Sequence, residues 1–187
     1  MKKLTFILCA LALLSTGCSR QKIARQLKEF QKTEVVIPHE LQKVESRIIG
    51  NYSPGGKTVT LVNYYDSTSC SSCRVAHLSD LIGIYELEQE YPEFQVLTIF
   101  SPQMENYDDL LAELFVSDFP YPVYVDIDAV FRKSNPQIPE DEKFHTFLID
   151  RNMKPLFVGN PTAGKELGAL FRRVLDKIHS CGGEYRE

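Results

Sequence analysis

Residues 58–73 read TVTLVNYYDSTSCSSC, and the order of residue types indicates a buried strand that leads into a helix. Thr58 to Tyr65 is rich in β-branched and aromatic residues, which is typical of a strand. The run Asp66-Ser67-Thr68-Ser69 consists of turn-forming residues and ends the strand. After Cys70-Ser71-Ser72-Cys73, apolar residues recur at three- and four-residue spacing, which predicts a helix from about Cys73 to Glu90.

Strands and helices alternate along the rest of the chain. We predict strands at Phe94 to Phe100 and at Tyr121 to Asp126, with a helix at Tyr107 to Phe115 between them. The chain then forms a β-hairpin from Phe144 to Val158, and a closing helix has one apolar stripe: Leu167, Leu170, Phe171, Val174 and Ile178. This order predicts an α/β fold in which helices flank a central mixed sheet on both faces.

Residues 1–17 are predicted to be a targeting segment. Lys2 and Lys3 are followed by an apolar run, Leu4 to Leu14, which is too short to span a bilayer as a helix. The next residues, Ser15-Thr16-Gly17-Cys18, resemble the lipobox of bacterial lipoproteins, in which the cysteine carries lipid and begins the mature protein. We therefore expect a lipoprotein signal peptide at residues 1–17 and a lipidated Cys18, with a plain signal peptide or an uncleaved anchor as alternatives.

Residues 18–56 are predicted to link the lipid to the domain. Ile23, Leu27 and Phe30 recur at helical spacing, which indicates a short helix or a tether. Glu34 to Pro38 resembles a brief strand, and Ser53-Pro54-Gly55-Gly56 is a turn. The main domain is predicted to cover residues 57–187.

Composition restricts the function. The chain has 187 residues, of which 43% are hydrophobic and 25% charged, so it is long enough for one buried core and is neither disordered nor polytopic. Its 21 basic and 25 acidic residues give no basic excess, so we expect no nucleic-acid partner.

Of five cysteines, Cys9 should leave with the signal and Cys18 should carry lipid, and the remaining three are too few for a scaffold stabilised by several disulfides.

The pair Cys70 and Cys73 is therefore interpreted as chemically reactive. At a helix N-terminus, unpaired amide groups and the axial dipole favour an anion, so Cys70 should ionise more readily than a free thiol. Its thiolate would attack a disulfide, and Cys73, one turn later, could resolve the mixed disulfide. Two alternatives stay open: half of a zinc site, which would need further ligands, or a permanent structural disulfide.

The chain resembles the thioredoxin superfamily over residues 57–179, through the strand, the Cys70-Ser71-Ser72-Cys73 motif and the hairpin strand Thr146-Phe147-Leu148-Ile149-Asp150. It is most similar to membrane-tethered thioredoxin-like proteins of bacterial envelopes. The resemblance implies a thioredoxin-like domain and a thiol–disulfide oxidoreductase that exchanges with protein or peptide thiols, without a cofactor. We expect a monomer, lipid-anchored in the envelope and facing the periplasm.

Three positions depart from the family pattern. Ser69 stands where thioredoxins usually have Trp, and the chain has no Trp at all. The buried acid of the family would fall near Tyr64, which cannot transfer a proton at neutral pH; Asp66 is either a substitute or an ordinary turn residue. The family's cis-proline aligns with Phe144, whose preceding peptide bond should be trans because a non-proline cis bond costs about 2.5–4 kcal/mol.

Other polar residues near the motif allow rival functions. His145 could stabilise a thiolate, could join Cys70 and Cys73 in a copper(I) carrier, or could be a locally hydrogen-bonded strand residue. Ser71 and Ser72 add no charged or imidazole group between the cysteines. Cys181 is either a third thiol that takes part in disulfide exchange or a C-terminal cysteine without a role. A further alternative for the whole protein is an interaction module that has this fold but no redox activity.

Overall fold

The strand predicted before the cysteine motif forms the centre of a seven-stranded mixed sheet in the computed structural model, which describes residues 21–183. The strands are β1 Gln42–Glu45, β2 Ile48–Asn51, β3 Val59–Tyr65, β4 Phe94–Phe100, β5 Val123–Val125, β6 Thr146–Ile149 and β7 Pro155–Val158. The helices are α1 at residues 21–30, α2 Ser71–Ala76, α3 Ile82–Tyr85, α4 Leu87–Glu90, α5 Tyr107–Val116, α6 Val130–Ser134 and α7 Lys165–Ser180. Three 3-10 segments occupy Leu78–Leu81, Met104–Asn106 and Glu142–Phe144.

The strand order is β2-β1-β5-β4-β3-β6-β7. β3 is parallel to β4 along its whole length, and β4 is parallel to β5. On the other side of β3, β6 and β7 are antiparallel, as β1 and β2 are at the opposite edge. The predicted α/β fold with a central mixed sheet is confirmed.

Helices cover both faces of this sheet, also as predicted. Successive side chains of a strand point to opposite faces, and in β3 Leu61 belongs to one core cluster while Val62 belongs to the other. The larger cluster includes buried residues of α2 and α7, such as Val75 and Phe171. The smaller cluster includes Phe30, the last residue of α1.

The N-terminal part of the fold differs from its prediction. Residues 34–38 are not a strand, because the amide and carbonyl groups of Val36 bond to the side chain of Asn135 instead of to another strand. β1 and β2 form a hairpin that pairs with β5. The boundary predicted at residue 57 therefore falls inside the structural unit, since residues 42–51 belong to the same sheet.

The helix predicted from Cys73 to Glu90 is interrupted. α2 ends at Ala76, and a 3-10 segment, α3 and α4 follow it. The buried side chains of Val75, Leu78 and Leu81 are each three residues apart, and this spacing matches the three residues per turn of a 3-10 helix.

Two strands are shorter than predicted. β5 begins after Pro122, which has no N–H group for a strand ladder, and ends before Asp126, whose carboxylate accepts bonds from the amides of Val130 and Phe131. β6 begins at Thr146 because residues 142–144 form a 3-10 turn. β7 and α7 lie where the sequence predicted a strand and a closing helix.

The predicted signal peptide at residues 1–17, including Cys9, and the predicted lipidation site Cys18 lie outside the described residues. Within residues 21–183, no helix combines the length and the apolar character that crossing a membrane would require.

Candidate functional site

Cys70 and Cys73 form a disulfide at the point where β3 leads into α2. Cys70 is the N-cap of α2, and its sulfur accepts a hydrogen bond from the amide of Cys73 at 3.3 Å. The two Cα atoms are 5.3 Å apart, and both residues are exposed. Both cysteines are therefore accessible from solvent. Because α2 has six residues, this single amide contact, more than a long axial dipole, would stabilise a Cys70 thiolate.

Asp66 closes the turn before the motif. Its Oδ1 accepts bonds from the amide and the hydroxyl of Thr68, at 2.9 and 2.6 Å. Burial alone would raise the pKa of the Asp66 carboxyl, but the bonds from Thr68, the charge of His145 and the amide of Ser69 outweigh burial, so this pKa lies below its usual value. A carboxylate held ionised in a turn is poorly suited to accept a proton from a cysteine.

Glu142 connects the loop before β6 to both ends of the cysteine motif. Its Oε1 accepts a hydrogen bond from the hydroxyl of Ser69 at 2.9 Å. Its Oε2 pairs with the Arg74 guanidinium at 2.6 Å. Ser69 precedes Cys70 and Arg74 follows Cys73, so a single carboxylate holds the residues that border the motif.

Glu113 of α5 contacts Ser72, one of the two residues between the cysteines. Its Oε1 accepts a 2.5 Å hydrogen bond from the hydroxyl of Ser72. Its Oε2 is shielded from solvent and has no hydrogen-bond partner among the described residues. A negative charge next to the motif disfavours a thiolate there, which opposes the effect of the Cys73 amide.

Two cavities meet at Ser72 and Glu113. One, of about 410 Å³, opens beside the disulfide, and most of its lining residues are of polar type: Ser67, Ser69, Cys70, Ser71, Ser72, Gln103, Asn106, Asp109, Leu110, Ala112 and Glu113. The other, of about 300 Å³, has apolar residues from α2 and α5, among them Val75 and Val116. A polypeptide bound along α5 would contact the cavity beside the disulfide at the N-terminal part of the helix and the apolar cavity at its C-terminal end.

His145 is 2% exposed and lies behind the motif. Its Nε2 is 2.9 Å from the carbonyl oxygen of Pro139, and since that oxygen can only accept, Nε2 carries a hydrogen. Its Nδ1 is 3.9 Å from Oδ2 of Asp66. The imidazole is thus held by the Pro139 carbonyl, and its buried Nδ1 has no hydrogen-bond partner among the described residues.

Tyr64 and Phe144 occupy two of the three positions at which the sequence departs from the family pattern. Burial raises the pKa of the Tyr64 hydroxyl to about 12, so Tyr64 stays neutral at physiological pH. Phe144 ends the 3-10 turn before β6, and no peptide bond in the described part of the chain is cis, so the bond before Phe144 is trans as predicted.

The structure brings Ser71, Ser72 and Glu113 to the cysteine pair but does not assemble the proposed copper ligands. No three His, Cys, Asp or Glu side chains within residues 21–183 form a group that could hold a metal ion. Cys181 is not disulfide-bonded. It lies near Gly183, whose carbonyl bonds to Thr58 before β3, whereas Cys70 follows the far end of this seven-residue strand. The strand separates the two ends by about 20 Å, so Cys181 cannot act on the pair within one molecule.

Sequence reasoning missed both Glu113 and Glu142. Glu142 lies in the acidic stretch Pro139-Glu140-Asp141-Glu142, which by itself indicates a solvated loop. Glu113 has no distinguishing pattern within its amphipathic helix. Their roles depend on which elements pack together, and the sequence alone does not supply this information.

Comparisons with known proteins agree with this architecture. No protein-family model matches the chain, and no curated protein matches it. A solved structure of an uncharacterized thioredoxin-like protein from Porphyromonas gingivalis superposes with a TM-score of 0.52 at 13% identity, over 82% of this chain and 98% of that one. The chain has a thioredoxin-like fold. An uncharacterized conserved protein from Geobacillus kaustophilus also superposes with a TM-score of 0.52, at 15% identity over 79% of this chain and 81% of the other. At these identities the comparisons show the fold alone.

Proposed function

We propose that this protein is a thiol–disulfide oxidoreductase of the bacterial envelope, in which Cys70 and Cys73 exchange electrons with protein or peptide thiols. The observation that carries the proposal is the exposed disulfide at the N-terminus of α2, directly after the central strand β3. An exposed disulfide with a cavity beside it can be attacked, whereas a purely structural one gains nothing from such access.

The reaction proceeds in two exchanges. In the reduced protein, the Cys70 thiolate attacks one sulfur of a substrate disulfide, forms a mixed disulfide and releases the other substrate sulfur as a thiolate. The Cys73 thiolate then attacks Cys70, which forms the Cys70–Cys73 disulfide and releases the second substrate sulfur. The protein dithiol is oxidised and the substrate disulfide reduced, and the reverse sequence oxidises a substrate.

The proposed location is the periplasmic side of a membrane, through lipid on Cys18. Its support is the lipobox-like sequence Ser15 to Cys18, whose cysteine lies three residues before the first described residue of α1. The last residue of α1, Phe30, is buried against Phe147. Three residues span at most about 11 Å, so a lipid on Cys18 would hold α1 close to the membrane surface.

Disulfide exchange with a model peptide tests the activity. Reduced wild-type protein should reduce a peptide disulfide, and Cys70→Ser should abolish the reaction. Cys73→Ser should instead accumulate the mixed disulfide on Cys70, which mass spectrometry detects. Cys181→Ser is the matched control and should react as the wild type does. If Cys70→Ser and wild type were equally inactive and trapped no peptide, the protein would be a redox-silent interaction module with this fold.

The location has its own test. Expression of the full chain in bacteria should give a membrane-bound product whose N-terminal peptide carries acyl chains, and Cys18→Ser should remove them. A wild-type protein released without lipid would contradict the lipoprotein assignment and leave the redox proposal intact.

A further inference from the structure

Charge is segregated between the N-terminal segment and the rest of the protein. The chain has 21 basic and 25 acidic residues. Lys2 and Lys3 belong to the predicted signal peptide, which the mature protein would lack. Five further basic residues and one acidic residue lie at positions 18–32, and 14 basic and 24 acidic residues follow. The acidic excess of the chain thus lies entirely in the part that follows α1, while α1 and its flanks are basic.

The basic residues of α1 lie on one face. Lys22, Arg25 and Lys28 follow one another at three-residue spacing and are exposed, so they form a stripe along the outside of the helix. Ile23 and Leu27 are half-buried and Phe30 is 1% exposed, so the opposite side faces the domain. The Phe30 ring packs edge-to-face on Phe147 of β6, with 5.1 Å between centroids.

Acidic side chains lie close to both ends of the stripe. Lys22 lines a cavity together with Glu140 and Asp141. Beyond α1, Lys32 pairs with Glu29 at 3.6 Å, and both of these side chains are mostly exposed. Arg25 and Lys28 therefore contribute most to the charge of the stripe.

We propose that the face of α1 formed by Lys22, Arg25 and Lys28 binds the headgroups of anionic phospholipids. The inference rests on the proposed membrane location, because a lipid on Cys18 would bring this face within reach of headgroups. Acyl chains alone fix only one end of the chain, whereas a basic stripe beside them fixes the orientation of the domain. α1 then faces the membrane, and α7, on the opposite face of the sheet, faces solvent.

Vesicle binding by the mature chain without lipid tests the proposal. The protein is residues 18–187 with Cys18→Ser, which retains every described residue and separates headgroup binding from acylation. The probes are phosphatidylcholine vesicles with and without 30% phosphatidylglycerol, at low and at physiological salt. We expect binding only to the anionic vesicles, and weaker binding at higher salt.

The double variant Arg25→Gln/Lys28→Gln should weaken this partitioning about 25-fold, or about fivefold per residue, as expected for basic residues near an anionic surface. The matched control is Lys165→Gln/Arg173→Gln, an exposed lysine and arginine of α7, and its binding should equal that of the wild type. Far-UV circular dichroism and peptide disulfide reduction in solution should be unchanged in both variants.

Three results would overturn the proposal: no binding to anionic vesicles, equal binding to neutral ones, or equal losses in both double variants. Because the assay uses neither lipid on Cys18 nor redox turnover, such a failure is distinct from failure of the proposed function.

Discussion

The carboxylate of Glu113 accepts a hydrogen bond from the Ser72 hydroxyl at 2.5 Å, which joins α5 to the two residues between the cysteines. The second carboxylate oxygen is buried without a partner in the described part of the chain. The arrangement places a negative charge next to a disulfide whose reduced form carries a thiolate. Since like charges oppose ionisation, Glu113 should restrain the reactivity that the Cys73 amide promotes.

Glu113→Gln should therefore make the reduced protein more reactive. The amide keeps an oxygen for the Ser72 hydroxyl and removes the charge, so the pKa of the Cys70 thiol should fall. We expect Cys70 alkylation by iodoacetamide at pH 7 to become about two- to fivefold faster. The measurement is the rate of alkylation as a function of pH. Mass spectrometry of the Cys70 peptide monitors the reaction.

Glu86→Gln is the control, because Glu86 is exposed and lines neither cavity at the motif. Its alkylation profile should match that of the wild type. Unchanged or slower alkylation in Glu113→Gln would show that the carboxylate exerts no electrostatic restraint on Cys70.

The bridge from Glu142 to Arg74 should contribute measurably but weakly to stability. Both side chains are about 40% exposed, at 39% and 42%, so water screens the pair. A double-mutant cycle with Glu142→Gln and Arg74→Gln should give a coupling free energy of about 0.2–1 kcal/mol by urea unfolding. The bond from Ser69 can persist in Glu142→Gln, which confines the cycle to the ion pair. A coupling of zero at low salt would mean that Glu142 does not hold Arg74.

The central elements of the fold were predictable because their sequence signals are local. β3 is a run of β-branched and aromatic residues, and β7 and α7 carry clear apolar patterns between turn residues. The hairpin of β1 and β2 lacked such a signal. Ile48 and Ile49 are exposed, and the only buried residue of the hairpin is Val44, so its position depends on pairing with β5.

Only part of the candidate site could likewise be predicted from the sequence. The cysteine pair follows from four adjacent residues, and its position before a helix follows from the apolar spacing directly after them. Glu113 reaches Ser72 across 41 positions and Glu142 reaches Arg74 across 68, and no local pattern encodes such pairs. The helix predicted after Cys73 was too long because periodicity alone does not distinguish a continuous helix from short α and 3-10 turns that bury the same residues.

Asp66 should make stability depend on pH in the acid range. Its folded-state pKa lies below the usual value of 3.8, so the unfolded chain takes up the proton first as pH falls. The stabilisation from ionised Asp66 is fully present above about pH 5 and is lost as pH falls below about 4. Asp66→Asn should therefore be less stable than wild type at pH 7, and the difference should shrink towards pH 2. Urea unfolding at several pH values measures it, and a pH-independent difference would assign the effect to the turn and not to the charge.

Phe30→Ala tests whether α1 belongs to the cooperative core. Phe30 is 1% exposed and packs on Phe147, so removing its ring opens a cavity in the smaller core cluster. Buried Phe→Ala changes cost about 3–5 kcal/mol, and we expect the lower end because α1 lies at the periphery of the sheet. Leu170→Ala, at a residue 42% exposed on α7, is the comparison and should cost less than about 1 kcal/mol. If both variants unfolded at the same urea concentration as the wild type, α1 would be a detachable tether and the domain would begin after it. A large loss for Phe30→Ala alone, with a single transition, would make α1 part of the same folding unit as the disulfide.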